Sequence, residues 1–298
     1  MVVNMETGDE LIDIKNSFFT GNYQVCVNEC QKHKLQDSSL AVEKDIFMYR
    51  SYIALKKYRV VLDEISSSSP DLIQPLKTLA TFLANPERRE SMVVDLDNMM
   101  SGNLDVNNYV LLLVAGTIYL HAGQPESALK ILHSSEHIEC LALKVQALLS
   151  MNRPDLARKE MKNLVEKDED ATITQLAQAW TNLHLGSDKI QEAYYIYKDL
   201  LDKYGNTCLL LNGSAACSIA EGKYVEAEAS LNDGLQEDPN NTDILVNLLV
   251  NSQFMGKPQE VSNRYMSQLK DMDPKHPFLV SVALKEADFD RMCKQYAI

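Results

Sequence analysis

The sequence predicts an all-α solenoid, a single stack of helical hairpins across residues 1–298, with repeats over 9–275 and a capping helix over 277–297. Three observations carry this. Compact residues recur at one marker position: Cys26, Val61, Ala128, Ala157, Ala193, Ala227 and Val261 are separated by 35, 67, 29, 36, 34 and 34 residues. Short turn sequences sit just ahead of most markers. Helix formers dominate the composition, and alternating β-branched runs are scarce, which argues against a large sheet.

Taken from the N-terminus, the first two hairpins turn at Gly21-Asn22-Tyr23 and Lys56-Lys57-Tyr58. The 67-residue interval spans about two periods, so a degenerate hairpin is expected there. Its helices fall near Pro75–Ala84 and Arg88–Met99, with Ser91 as its marker. The next turns are Gly123-Gln124-Pro125 and Asn152-Arg153-Pro154, followed by a longer, irregular one at Gly186-Ser187-Asp188-Lys189. The clearest unit comes seventh. Leu211 to Ser218 form a first helix rich in small residues, Gly222-Lys223-Tyr224 the turn, Ala227 the tight contact, and Pro239 the close. That order is the tetratricopeptide pattern. Ala suits the contact because closely crossing helices leave no room for a longer side chain, and Gly222 ends the first helix within a short turn. An eighth hairpin turns at Gly256-Lys257-Pro258. About eight hairpins result, each with an apolar face that only a neighbour or a cap can cover. For the cap, His276-Pro277 marks the start, and Phe278, Val282, Phe289, Met292 and Tyr296 form one helical stripe.

Charge and composition exclude several classes of function. The formal net charge of −13 repels nucleic acid and anionic lipid. Lys56-Lys57-Tyr58-Arg59, the densest basic run, is too short for a lipid patch and reads as a solvated turn. Met1 to Glu6 lack a basic segment followed by a long apolar core, so no signal peptide is expected. The most apolar stretch, Val110 to Leu120, is too short to span a bilayer. Six cysteines without a Cys-x-x-Cys pair fit reduced thiols.

The sequence carries no phosphate-binding loop, nucleophile elbow or dinucleotide fingerprint. His133-Ser134-Ser135-Glu136-His137 matches a zinc-peptidase signature. The matching stretch lies at the end of a second helix weakened by two serines, with no suited downstream carboxylate, so two solvent-facing histidines at a repeat junction are expected instead. Cys26 and Cys30 occupy core positions of the first hairpin. Glu166 to Asp170 lack the spacing of a calcium loop and read as a solvated connection. Ser66 to Ser69 read as a flexible connector that phosphorylation is able to reach. No catalytic residue, cofactor or metal ligand is expected.

In such solenoids the first helix of each pair lines the concave face. The marker register assigns to that face Leu11, Ile46 and Ile53; then Val110, Leu113, Thr117 and Leu120; then Asn212, Ala216 and Ile219; and finally Val246, Val250 and Gln253. The lining is apolar and neutral. A clamp for acidic peptide tails would need Lys, Arg and Asn there. An open apolar groove invites aggregation, so a permanently bound partner segment is expected. The alternative is that some of these side chains pack between repeats.

The chain also resembles the coatomer epsilon-subunit family, over nearly its whole length. The resemblance is strongest in Gln191 to Tyr197, Leu209 to Cys217, Gly256-Lys257-Pro258 with Asn263-Arg264-Tyr265, and Phe289-Asp290-Arg291 with Gln295-Tyr296-Ala297. Asp9 to Asn16 match less strictly. It implies a non-enzymatic cytosolic subunit of the COPI coat, peripheral on Golgi membranes and COPI-coated vesicles, whose repeats curl into a ring around a hairpin of the coatomer alpha subunit's C-terminal domain. It further implies Golgi-to-ER and intra-Golgi transport, with membrane contact only indirect. A reversible tetratricopeptide adaptor for peptide segments of a chaperone or other complex is the competing reading.

Overall fold

A computed structural model describes residues 10–33, 35, 37–100 and 108–296. The expected first residue of the repeats, Asp9, and the expected last residue of the cap, Ala297, lie outside the described residues. Among the described residues all regular structure is helical, and the helices pair in chain order. The pairs are α1 (Ile12–Phe19) with α2 (Tyr23–Lys32), α3 (Ser38–Ala54) with α4 (Tyr58–Glu64), α5 (Gln74–Ala84) with α6 (Arg89–Met100), and α7 (Tyr109–His121) with α8 (Pro125–Leu132). They continue as α9 (Ile138–Ser150) with α10 (Pro154–Lys167), α11 (Thr172–Leu185) with α12 (Lys189–Tyr204), α13 (Cys208–Ala220) with α14 (Tyr224–Glu237), and α15 (Thr242–Phe254) with α16 (Gln259–Met272). A last helix, α17 (Pro277–Tyr296), follows. The helices form two compact units, one ending at Ile196 and one starting at Tyr197, so the boundary falls inside α12.

Local sequence explains the hairpins. First helices are often capped by a side chain: Asp37, Asn108, Thr207 and Asn241 accept a backbone N–H from their own first turns. Second helices instead follow a turn with one residue at positive φ: Gly21, Lys56, Gly123, Asn152, Gly222 and Gly256. The next N–H then reaches back five residues, as from Lys57 to the Tyr52 carbonyl (2.9 Å) and from Lys223 to the Ser218 carbonyl (2.8 Å). The turn after α11 has three residues like most of the others, so it is not longer. Its irregularity is conformational, because Gly186 and Ser187 both have positive φ.

The marker position lies in the first turn of the second helix, where it meets the first. Cys26, Val61, Ala128, Ala157, Ala193 and Ala227 are fully buried. Two expected markers shift. In α6 Ser91 is exposed and Val93 and Leu96 enter the core instead, because a 3-10 turn at Pro86–Arg88 precedes the helix. In α16 the four-residue turn moves the contact to Ser262, whose hydroxyl lies 2.9 Å from that of Ser252 on α15. Elsewhere the approach is closer still. A Cβ on Gly213 would lie 2.3 Å from the ring of Tyr197.

The cap differs from expectation over its second half. Phe278 packs on the α15–α16 core and Leu279 is buried, but Phe289, Met292 and Tyr296 are exposed at 69, 46 and 73%. Twenty residues rise about 30 Å, whereas the 13 and 14 residues of the hairpin beneath rise about 20 Å.

Candidate partner-binding surface

The thirteen residues assigned to the concave face divide by burial. Leu11, Ile46, Ile53, Val110 and Leu113 are buried in the cores of the first unit. Leu113, for example, packs with Leu132, Cys140 and Leu143. Thr117 and Leu120 keep partial exposure on α7, and the Thr117 hydroxyl donates to the Leu113 carbonyl. In the second unit all six assigned residues reach the surface. Asn212, Ala216 and Ile219 share a face of α13, and Val246, Val250 and Gln253 share a face of α15. Asn247 joins the two rows by donating to Asn212 Oδ1 at 2.8 Å. This stretch is neutral and mostly apolar.

The first unit carries a polar hub that the marker register misses. Neighbour-only contacts are the rule in a linear stack, yet here α1 packs on α11, and Thr172 donates to Asn16 Oδ1 at 2.8 Å. Arg50 on α3 reaches Glu139 on α9 at 2.5 Å, with side-chain exposures of only 13 and 5%. Its guanidinium lies 4.4 Å above the ring of Phe18 and 5.2 Å from that of Phe47. Phe18 in turn meets Phe19, Tyr23 and Phe47 edge to face, and Phe19 meets Phe47 the same way. Arg50 Nη1 is buried and has no acceptor among the described residues. The sequence does hold a signal: Glu139 and Lys144 are the only charges in the otherwise apolar α9, and both are buried.

His133 and His137 do not share a helix face. His133 is the exposed C-cap of α8, and His137 is the N-cap of α9. His137 is also not solvent-facing as expected. Its ring stacks on Tyr109 at 3.8 Å, and Nδ1 accepts the Glu139 N–H at 3.4 Å. Burial pushes its pKa down, and the nearby Arg50 and Lys15 add to this against Glu139 and Glu43. Among the described residues no three His, Cys, Asp or Glu side chains gather as a metal site, and no helix is long and apolar enough to cross a membrane. Cys26 and Cys30 are buried free thiols, as the core reading expects, and the hydrogen bond with Cys26, followed by burial, pushes the Cys30 pKa up.

Comparison with known proteins places these features in a family. The family model described as "Coatomer epsilon subunit" matches residues 7–297. Coatomer subunit epsilon-1 of Arabidopsis thaliana is 38% identical over 296 residues, 99% of this chain and all of that one. Coatomer subunit epsilon of Dictyostelium discoideum is 37% identical, covering 95% of this chain and 97% of its own length. Among solved structures, a tetratricopeptide repeat protein from Parabacteroides merdae superposes with a TM-score of 0.59 over 87% of this chain and 96% of that one. At 13% identity that likeness concerns the fold alone. Helical hairpins with tight contacts along the described chain and a family match over residues 7–297 agree: the chain belongs to the coatomer epsilon subunit family, and so to the subunits of the COPI coat.

Proposed function

We propose that this chain is a non-enzymatic structural subunit that binds and stabilises the C-terminal domain of the coatomer alpha subunit. In this role it supports Golgi-to-ER and intra-Golgi transport, working at the cytoplasmic face of Golgi membranes and COPI-coated vesicles without touching lipid directly. The end-to-end family match carries the reading. The accessible row of Asn212, Ala216, Ile219, Val246, Val250 and Gln253 supports it, because a neutral apolar strip suits a lasting partner better than a charged peptide tail.

The test is purification of the tagged chain from cytosol with quantitative mass spectrometry. The large coat subunits are expected at near-equal amounts, and their absence overturns the reading. Val246→Asp puts a charge into the strip at a partly exposed site, so it is expected to weaken alpha binding at least tenfold while the chain stays folded. Unchanged binding rejects the strip as the contact. Leu113→Asp serves as a contrast: it buries a carboxylate in the core and is expected to destabilise the fold itself.

A further inference from the structure

A cleft of about 550 Å³ in the first unit lies outside the row just discussed. It is lined by α10, the second half of α11 and the first residue of α12. Arg158, Met161, Lys162, Val165 and Glu166 face it from α10 at positions i, i+3, i+4, i+7 and i+8, one side of a helix. The floor is satisfied internally. Met161, Thr181 and Asn182 are buried, the Thr181 hydroxyl donates to the Ala177 carbonyl, and Asn182 Oδ1 accepts from Gln178. Met161, Val165 and Leu185 leave that floor largely apolar. The rim is not satisfied. Lys189 pairs with Glu192, but Arg158 and Lys162 have no ion-pair partner among the described residues. With Lys189 neutralised by Glu192, the two free cations Arg158 and Lys162 still outnumber the carboxylate of Glu166, so this lining is positive in a chain whose net charge is −13.

We propose that this cleft docks a short extended segment of another protein that carries a carboxylate beside apolar side chains. Charge complementarity fixes the chemistry. The carboxylate sits between Arg158 and Lys162, one turn apart, where two cations hold it better than one. The apolar side chains enter between Val165 and Leu185, and Glu166 repels a second acid at that end. The run from Arg158 to Glu166 rises about 12 Å, enough for about four extended residues. None of the residues that line the cleft belongs to the row assigned to the alpha subunit, so the two proposals stand or fall separately.

The test uses the full chain and a labelled octapeptide with one Asp beside three Leu, its Asn-for-Asp isostere, and inorganic phosphate. Methyl signals of Met161, Val165 and Leu185 are expected to shift with the acidic peptide. Reversing both cations (Arg158→Glu with Lys162→Glu) is expected to weaken binding on the order of tenfold. The same charge change on α17 (Lys285→Glu with Lys294→Glu) is expected to leave it unaltered. All four positions are exposed, so folding is retained. The proposal is overturned by equal binding of the isostere, by equal loss in both double variants, by phosphate shifting the same methyls as far, or by no shift at millimolar peptide.

Discussion

Removing the charge of Glu139 tests whether the polar hub holds distant hairpins of the first unit together. Glu139→Gln keeps the size of the side chain but leaves the Arg50 guanidinium, 13% exposed, without its counter-ion. Breaking a buried ion pair from one side costs about 3–5 kcal/mol, because the remaining charge stays desolvated. Arg50→Met should cost a similar amount, increased by the loss of the stacking on Phe18 at 4.4 Å, itself about 0.5–2 kcal/mol. The double variant Arg50→Met with Glu139→Leu removes both charges and fills the site with apolar volume, so it should cost less than either single change. Urea unfolding followed by circular dichroism gives the totals, and hydrogen exchange locates them. Faster exchange is expected first in α1, α3, α9 and α11, which the hub and the Asn16–Thr172 bond connect. A cost of Glu139→Gln below about 0.5 kcal/mol, the size of an ordinary surface change, refutes the reasoning. So does a double variant less stable than both singles.

Three other outcomes follow from local geometry. Gly213→Ala places a Cβ 2.3 Å from the Tyr197 ring, and overpacking of this kind costs about 1–3 kcal/mol even against the better helix propensity of Ala; in a Tyr197→Leu background, thermal melts should show the penalty largely gone. Lys56 turns the second hairpin at φ 59°, so Lys56→Gly is expected to stabilise by about 1 kcal/mol in urea titrations, and a loss would mean the turn needs the side chain. His137 has a folded pKa below its ordinary 6.5, so the unfolded chain binds the proton more readily. Its contribution to stability is complete above pH 6.5 and fades as pH falls through the folded value. His137→Phe should flatten unfolding free energy between pH 7.5 and 5.5, and an unchanged slope contradicts this.

The sequence alone determined the hairpins. Their helices, caps and turns are made by residues within one period of each other, so Gly222, Asn241 and Ala227 disclose their roles locally. It also determined the degenerate third hairpin and the start of the cap at Pro277. Even where a marker moved, as from Val261 to Ser262, the cause was one extra turn residue. Tertiary structure decided which first-helix residues reach a surface. Leu113 and Val246 occupy matching places, each the fifth residue of its helix, yet one is buried and the other partly exposed. Burial depends on the rotation between successive hairpins, a small angle that no single repeat encodes and that accumulates along the stack. The same accumulation brings Arg50 to Glu139 across 89 residues and Asn16 to Thr172 across 156. A period of about 34 residues is silent about contacts at that range.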